Sequence, residues 1–303
     1  MSAPAVETEG LGRDHGTTRA LDALSIRIPA GAFVGLLGPN GAGKTTTMLL
    51  LATLLAPTRG SARIFGHDTL RERRRVRKRL GLVFQEPSVD GLLTVEENLR
   101  FATRLAGLGA ASGEAAVRQT IERTGLRQRA RQPARQLSGG WRRLLDIARA
   151  TLHQPELLIL DEPTVGLDPE HRERMWALLE SERRERGVTV LFSTHYLSEA
   201  EPSDRVVMLA GGRVVADDRP AALCASIGEE VAEIEGDGAK TLVGRLEAES
   251  LARSVQRTER GWRVGLASGR ARVSELAAET PGVSRFALRP PALEDVYFAR
   301  TQA

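Results

Sequence analysis

Apolar positions in this 303-residue chain fall into short unbroken runs and longer helix-spaced stripes that succeed one another. Leu24-Ser25-Ile26-Arg27-Ile28 alternates apolar and polar at period two, so residues 20–34 are expected as strands. Pro29-Ala30-Gly31 turns the chain into the apolar run Ala32-Phe33-Val34-Gly35-Leu36-Leu37. A helix is expected over 46–55, closed off by Pro57 and Gly60. Strands follow near 62–65 and at Leu80-Gly81-Leu82-Val83-Phe84. Between Gln85 and Gln154 no strand pattern occurs. Thr94-Val95-Glu96-Glu97 fits a capping box opening a helix to about 105, a second helix is expected over 113–124, and a third from Ser138 to about 153. Leu157-Leu158-Ile159-Leu160 is unbroken, as a strand covered on both faces of a parallel sheet must be. Asp168-Pro169 pairs an N-cap acid with a first-turn proline and opens a helix to about 186, stopped by Gly187. Val188-Thr189-Val190-Leu191-Phe192-Ser193 is the next buried strand, and residues 204–218 form a hairpin about Gly211-Gly212.

These patterns predict an α/β core interrupted by a helical insertion over about 86–154. Near residue 227 the elements become shorter. Strands are expected near 230–234 and 283–288, a hairpin about Arg260-Gly261, and helices near 240–247, 270–279 and 291–300. That order suits a small α+β domain of ferredoxin-like type over 227–303, leaving 1–226 as the main domain.

Composition narrows the picture little. Net charge is +4, carried almost wholly by arginine, since Lys44, Lys78 and Lys240 are the only lysines. The 39 acidic residues are interspersed and aromatics make up 4%, so base-stacking platforms are few and no nucleic acid partner is expected. The basic run Arg71-Glu72-Arg73-Arg74-Arg75-Val76-Arg77-Lys78-Arg79 reads either as the solvated face of a short helix or as a patch for anionic headgroups or a partner. No apolar run approaches the roughly 20 residues that span a bilayer. The stretch 1–10 lacks the basic and apolar regions of a signal peptide, and a single cysteine, Cys224, leaves no intrachain disulfide, so a cytoplasmic setting is expected.

The chemistry begins at Gly38-Pro39-Asn40-Gly41-Ala42-Gly43-Lys44-Thr45-Thr46, a phosphate-loop pattern between an expected strand and an expected helix. Its glycines let backbone amides wrap phosphate oxygens, Lys44 reaches the β- and γ-phosphates, and the Thr45 hydroxyl suits Mg²⁺. Alone, this says only that a nucleotide binds. Asp161 and Glu162 at the end of an apolar strand sharpen it. Such strand ends hold ligand sites, and the pair can serve a Mg²⁺ shell and take a proton from an attacking water.

With Leu137-Ser138-Gly139-Gly140 lying about twenty residues before that strand, the order phosphate loop, Gln85, Ser-Gly-Gly, Asp161-Glu162, Asp168 and His195 resembles the ATP-binding cassette (ABC) ATPases over roughly residues 5–225. The resemblance implies a phosphate-loop NTPase core that binds ATP and Mg²⁺. It implies that Thr45 and Gln85 ligate Mg²⁺ with support from Asp161, that Glu162 is the general base, and that His195 contacts the γ-phosphate. Ser138, Gly139 and Gly140 would close on ATP held by a second copy, with Asp168 in the loop that communicates across a head-to-tail homodimer. The family places an aromatic ring for adenine where this chain has His15, and glutamine or methionine where it has Trp141. The helical insertion is where the family docks a separate transmembrane permease. The segment Arg289-Pro290-Pro291-Ala292-Leu293-Glu294-Asp295-Val296-Tyr297-Phe298 resembles the end of drug-resistance exporter ATPases such as daunorubicin-resistance subunits. The implied function is the ATP-hydrolysing subunit of an exporter of drugs or other hydrophobic small molecules, peripheral at the cytoplasmic face of the membrane. The competing reading is a soluble ABC-type ATPase acting on ribosomes or nucleic acid. His67, His153 and His171 have no partners at metal-ligand spacing and are expected to be structural or exposed.

Overall fold

The computed structural model describes residues 3–301; residues 1 and 2 of the stretch read above, and the last two of the C-terminal segment, lie outside it. Contacts divide the chain into two units: residues up to Tyr196 together with Leu209–Val214, and Leu197–Met208 together with 215 onward.

The first unit is built on four parallel strands in the spatial order Phe33–Leu37, Thr189–Thr194, Leu157–Leu160, Leu80–Val83. Their residues are almost all buried. Phe33, Val83, Leu158, Leu160, Val190 and Phe192 are packed with Leu144 and Ile147 of the helix Gly139–Thr151 and Met175, Leu178 and Leu179 of the helix Pro169–Arg186. Phe33, Trp176 and Phe192 form a mutual aromatic cluster with centroids 4.9–6.0 Å apart, each pair adding about 1 kcal/mol beyond area burial. The register pairs Leu37 with Thr194, Leu160 with Phe192 and Val83 with Leu160. Parallel strands in such register end on one edge, so whatever follows each strand is delivered to the same side of the sheet.

An antiparallel sheet accompanies them, in the order Thr18–Leu24, Val6–His15, Arg59–Ile64, His67–Asp68, with Arg27–Ile28 paired to the start of Val6–His15. The long strand Val6–His15 had no sequence signal. Gly10 and Gly12 and register shifts between Glu9 and Gly12 break its alternation. Ser25 and Ile26 fall outside the strands expected to include them; there the Ser25 hydroxyl accepts from Gly10 N–H and the Thr8 hydroxyl from Ile26 N–H, each at 2.9 Å.

The helix after the phosphate loop runs Lys44–Leu51, shorter than the stripe implied. Thr53 takes a left-handed conformation, φ 64°. Its amide bonds Leu50 O at 3.1 Å and the Leu54 amide bonds Leu49 O at 2.9 Å, a Schellman closure. Arg77 of the basic run secures it, its Nε donating to the Thr53 hydroxyl at 2.8 Å. In the same run Arg79 reaches Glu156 at 3.2 Å and Val76 is fully buried. The run is therefore partly structural.

Three helices, Val95–Leu105, Ala110–Arg123 and Gly139–Thr151, enclose a second apolar cluster around Leu99, Val117, Leu126, Leu145 and Ala148. The capping box forms as the pattern required. The Thr94 hydroxyl accepts from Glu97 N, and Glu97 accepts from Thr94 N at 2.8 Å.

In the second unit, Glu230–Glu235, Ala239–Ala248, Ala252–Arg257, Gly261–Leu266, Arg270–Glu279 and Arg285–Arg289 follow as βαββαβ. Every strand pair is antiparallel, with Glu230–Glu235 between Gly261–Leu266 and Arg285–Arg289 and Ala252–Arg257 outermost. That is the ferredoxin-like arrangement. The helices Leu197–Ala200, Pro220–Ile227 and Leu293–Thr301 also belong to this unit, and the sequence pattern predicts no helix at Pro220–Ile227.

Candidate functional site

The four parallel strands lead directly into Gly38, Phe84-Gln85, Asp161-Glu162 and His195. Their shared edge gathers residues that lie up to 157 positions apart in the chain. Lys44 is 5% exposed, and its Nζ donates to Gly38 O at 2.8 Å and Pro39 O at 3.2 Å. The ammonium is thus folded against the rim of its own loop, 3.8 Å from Glu162 Oε1. His195 Nδ1 is 3.4 Å from that same oxygen. Burial pushes the Lys44 ammonium below its ordinary pKa, while the charges of Glu162 and Asp161 act the other way.

Two carboxylates are placed by one hydroxyl. Ser193 Oγ donates to Asp161 Oδ1 and accepts from the Glu162 amide at 2.8 Å. Glu162 has a left-handed backbone, φ 43°, uncommon for a residue with a side chain. That turn separates its direction from that of Asp161, which is buried.

The loop itself depends on glycine at Gly43. Its φ is 101°, and a Cβ there would stand 2.8 Å from Ala20 O. Gly43 is also the N-cap of Lys44–Leu51 and offers no side chain to the first amides. Those donors are left for an anion, which fits a polyphosphate in the cradle. Thr45 and Gln85 are exposed, and with Asp161 they present oxygen donors, the kind a hard cation such as Mg²⁺ takes.

A second grouping forms around Ser138, Gly139 and Gly140. Ser138 caps Gly139–Thr151, its Oγ accepting from Trp141 N. A Cβ on Gly140 would meet the His171 ring at 2.2 Å, so only glycine fits. His171 is bonded to Asp168 through Nδ1 at 2.8 Å, and its ring meets Trp141 edge-on at 5.3 Å. Arg129 stacks over the Trp141 indole at 3.8 Å, with Arg174 at 5.3 Å. The bulky residue at 141 is accommodated by these two guanidinium contacts and by packing against both apolar clusters. His171 ties Asp168 to the Ser-Gly-Gly segment, a link no spacing rule indicated. His15 stands exposed at the end of Val6–His15, in the hairpin whose second strand passes the phosphate loop at Ala20.

A phosphate loop at the carboxyl edge of a parallel sheet, faced by an acid pair and a histidine, defines a nucleotide-binding ATPase of the phosphate-loop class. Comparison with known proteins specifies the family. The ABC transporter family model matches residues 21–165. The chain is 42% identical over 248 residues to the daunorubicin/doxorubicin resistance ATP-binding protein DrrA of Streptomyces peucetius, covering 82% of this chain and 74% of that one. It is 40% identical over 261 residues to the Nod factor export ATP-binding protein I of Paraburkholderia xenovorans (strain LB400), covering 86% and 84%. Among solved structures, an ATP-binding cassette in a dimeric post-hydrolysis state bound to ADP and Pi superposes with a TM-score of 0.64 at 27% identity, covering 71% of this chain and 98% of that one. The chain belongs to the ABC transporter ATP-binding family and is an ATP-binding subunit with ATPase activity.

Proposed function

We propose that this chain is the energy-coupling subunit of an exporter, with 1–226 as the cassette, 86–154 as its helical subdomain and 227–303 as an accessory domain. ATP lies with its phosphates on residues 38–46 and its adenine toward His15. Lys44 leaves the loop carbonyls for the β- and γ-phosphate oxygens. Glu162 takes the proton of the attacking water, and His195, within 3.4 Å of Glu162, holds the γ-phosphate in line. Thr45, Gln85 and Asp161 are the residues that would hold Mg²⁺, which would supply charge neutralisation on the phosphates when bound. Ser138, Gly139 and Gly140 complete the site of a second copy, and Asp168 lies at that junction. The observation that carries the reading is the meeting of Lys44, Glu162 and His195 at one end of the parallel sheet.

The partner is a separate permease, with the chain peripheral at the cytoplasmic face. No helix among the described residues is long and apolar enough to cross a membrane. The helical subdomain leaves the apolar side chains of Leu92 (75%), Phe101 (48%) and Leu105 (70%) exposed, which supports a membrane partner docking there. The relatives named for resistance and export favour an outward-moving drug or other hydrophobic small molecule as cargo.

The test is Glu162→Gln. It should retain ATP binding, lower turnover by about 100-fold or more, and accumulate an ATP-bound dimer on a sizing column. Lys44→Ala should instead weaken ATP binding itself. Wild-type turnover in Glu162→Gln would remove Glu162 from the role of base.

A further inference from the structure

The helix Gly139–Thr151 carries charged side chains at Arg143, Asp146 and Arg149. A spacing of three places them on one face. Arg143 is 2% exposed and Asp146 3%. Burying an ion costs several kcal/mol unless hydrogen bonds compensate. Here all three side chains spend those bonds on one short segment, 84–88. Both terminal nitrogens of Arg143 donate to consecutive carbonyls, those of Phe84 and Gln85. Asp146 Oδ1 accepts from the Ser88 amide at 3.3 Å and the Ser88 hydroxyl at 3.0 Å. Arg149 Nη1 donates to Ser88 O and to Ser88 Oγ, the latter at 3.3 Å, and lies 3.5 Å from Asp146. The segment is neither helix nor strand, and all five of its residues are exposed. It has no apolar anchor of its own, so its shape comes from the helix beside it. Gln85, Gly139, Arg143 and Gly166 line one cavity of about 200 Å³, where this segment, the start of the helix and the turn leading to Asp168 meet.

We propose that Arg143, braced by Asp146 and Arg149, is a positioning residue that fastens the Gln85 segment to the helix beginning at Ser138, so that Gln85 and Ser138 move as one body. The proposal rests on the composite-site reading above, in which Gln85 serves the nucleotide held by its own chain and Ser138 the nucleotide held by the second copy. The clamp joins those two duties inside one subunit. A planar guanidinium gripping two successive carbonyls resists rotation as well as separation, which a lysine ammonium does not. A displacement of 84–88 is then carried to Ser138 through the helix, without passing through the phosphate loop.

The experiment uses the full chain as wild type, Arg143→Met, Arg143→Lys, Gln85→Ala and the Gln85→Ala/Arg143→Met double variant. Amide hydrogen exchange without nucleotide is read first and needs no ATPase activity. Arg143→Met should speed exchange at Ser88 by about tenfold or more while Leu157–Leu160 stays protected. Unchanged exchange at Ser88 overturns the clamp. Turnover is read second. Arg143→Met should lower kcat by about tenfold with the ATP Kd held within about twofold, Arg143→Lys falling between. Placed on Gln85→Ala, the same change should cost less than about twofold, because Arg143 acts through Gln85. Equal losses in both backgrounds mean Arg143 acts elsewhere in the fold, and also overturn the proposal. Should Arg143→Met fail to fold, Arg143→Lys runs the same cycle, since it keeps a buried cation but cannot fork. Failure of Lys44→Ala and Ser138→Arg chains to restore turnover in verified mixed dimers would defeat the composite-site reading, while exchange at Ser88 would still decide the clamp.

Discussion

Ser193 is the residue on which both acids depend. Its hydroxyl is buried between two neighbouring strands, giving its proton to Asp161 and accepting the amide of Glu162. That amide belongs to a residue held at φ 43°, a conformation that costs roughly 1–3 kcal/mol and persists only where surroundings enforce it. Ser193→Ala leaves a buried amide and a carboxylate oxygen without their partner. The expected loss is about 1–3 kcal/mol of stability in denaturant titration. Turnover should fall about tenfold or more, with ATP affinity nearly kept, because the phosphate loop is untouched. Unchanged turnover would show that Glu162 is aligned by something else. Chain order alone marked Asp161 and Glu162 as an acid pair. It could not mark Ser193, which reads as the end of an apolar run until Thr189–Thr194 is laid beside Leu157–Leu160.

At the scale of elements, caps behaved as local chemistry dictates. Asp168 accepts from His171 N at 2.9 Å, Pro169 starts its helix, and Gly187 closes it. The segment that resembled drug-resistance exporters proves to be a clamp between a strand and a helix. Arg289, ending Arg285–Arg289, forks onto Asp295 at 2.7 and 2.8 Å, and Asp295 also accepts from Ala292 N at 2.8 Å. Glu233 holds Arg289 from the neighbouring strand at 2.9 Å. Burial pushes the Asp295 carboxyl up, but the Arg289 fork, the Ala292 amide and the charges of Arg289 and Arg263 outweigh it and hold the pKa below the ordinary value. A carboxyl with a lowered folded pKa stabilises fully above the unfolded value, about pH 4, and that stability is lost as pH falls through the lowered value. Asp295→Asn should therefore destabilise by about 2–3 kcal/mol at neutral pH, less than a fully buried pair because Arg289 is partly exposed. The gap between wild type and variant should close on acidification below about pH 4. A gap independent of pH would assign the effect to packing.

At the scale of the whole molecule, the site residues fall into two groupings. Lys44, Glu162 and His195 stand together, while Gly140, Trp141, His171 and Asp168 form their own contact group. If each grouping completes the site of another copy, complementary defects should cancel in mixed dimers. Lys44→Ala and Ser138→Arg should each be nearly inactive alone. Mixed in equal amounts, they should regain measurable turnover, up to about a quarter of wild type. Half the dimers would then be mixed, each with one intact site of two. No recovery, with mixed dimers verified by mass, would sink the composite site.

What the sequence determined by itself was local and periodic. Strand-length apolar runs, a helix cap, a hairpin glycine pair and a phosphate loop are properties of neighbouring residues, and their order along the chain was enough to suggest the ABC family. The βαββαβ order of the last domain was legible for the same reason. Val6–His15 was not, because glycines and bulges erase its period. What only tertiary structure decided was which distant groups share a surface. Parallel register brought Lys44, Glu162 and His195 to one edge, set the Ser193 hydroxyl between the acids, and turned three charges on one helix toward residues 84–88. None of these pairings has a sequence period, since each depends on which strand or helix lies next to which, and that is settled by the packing of the core.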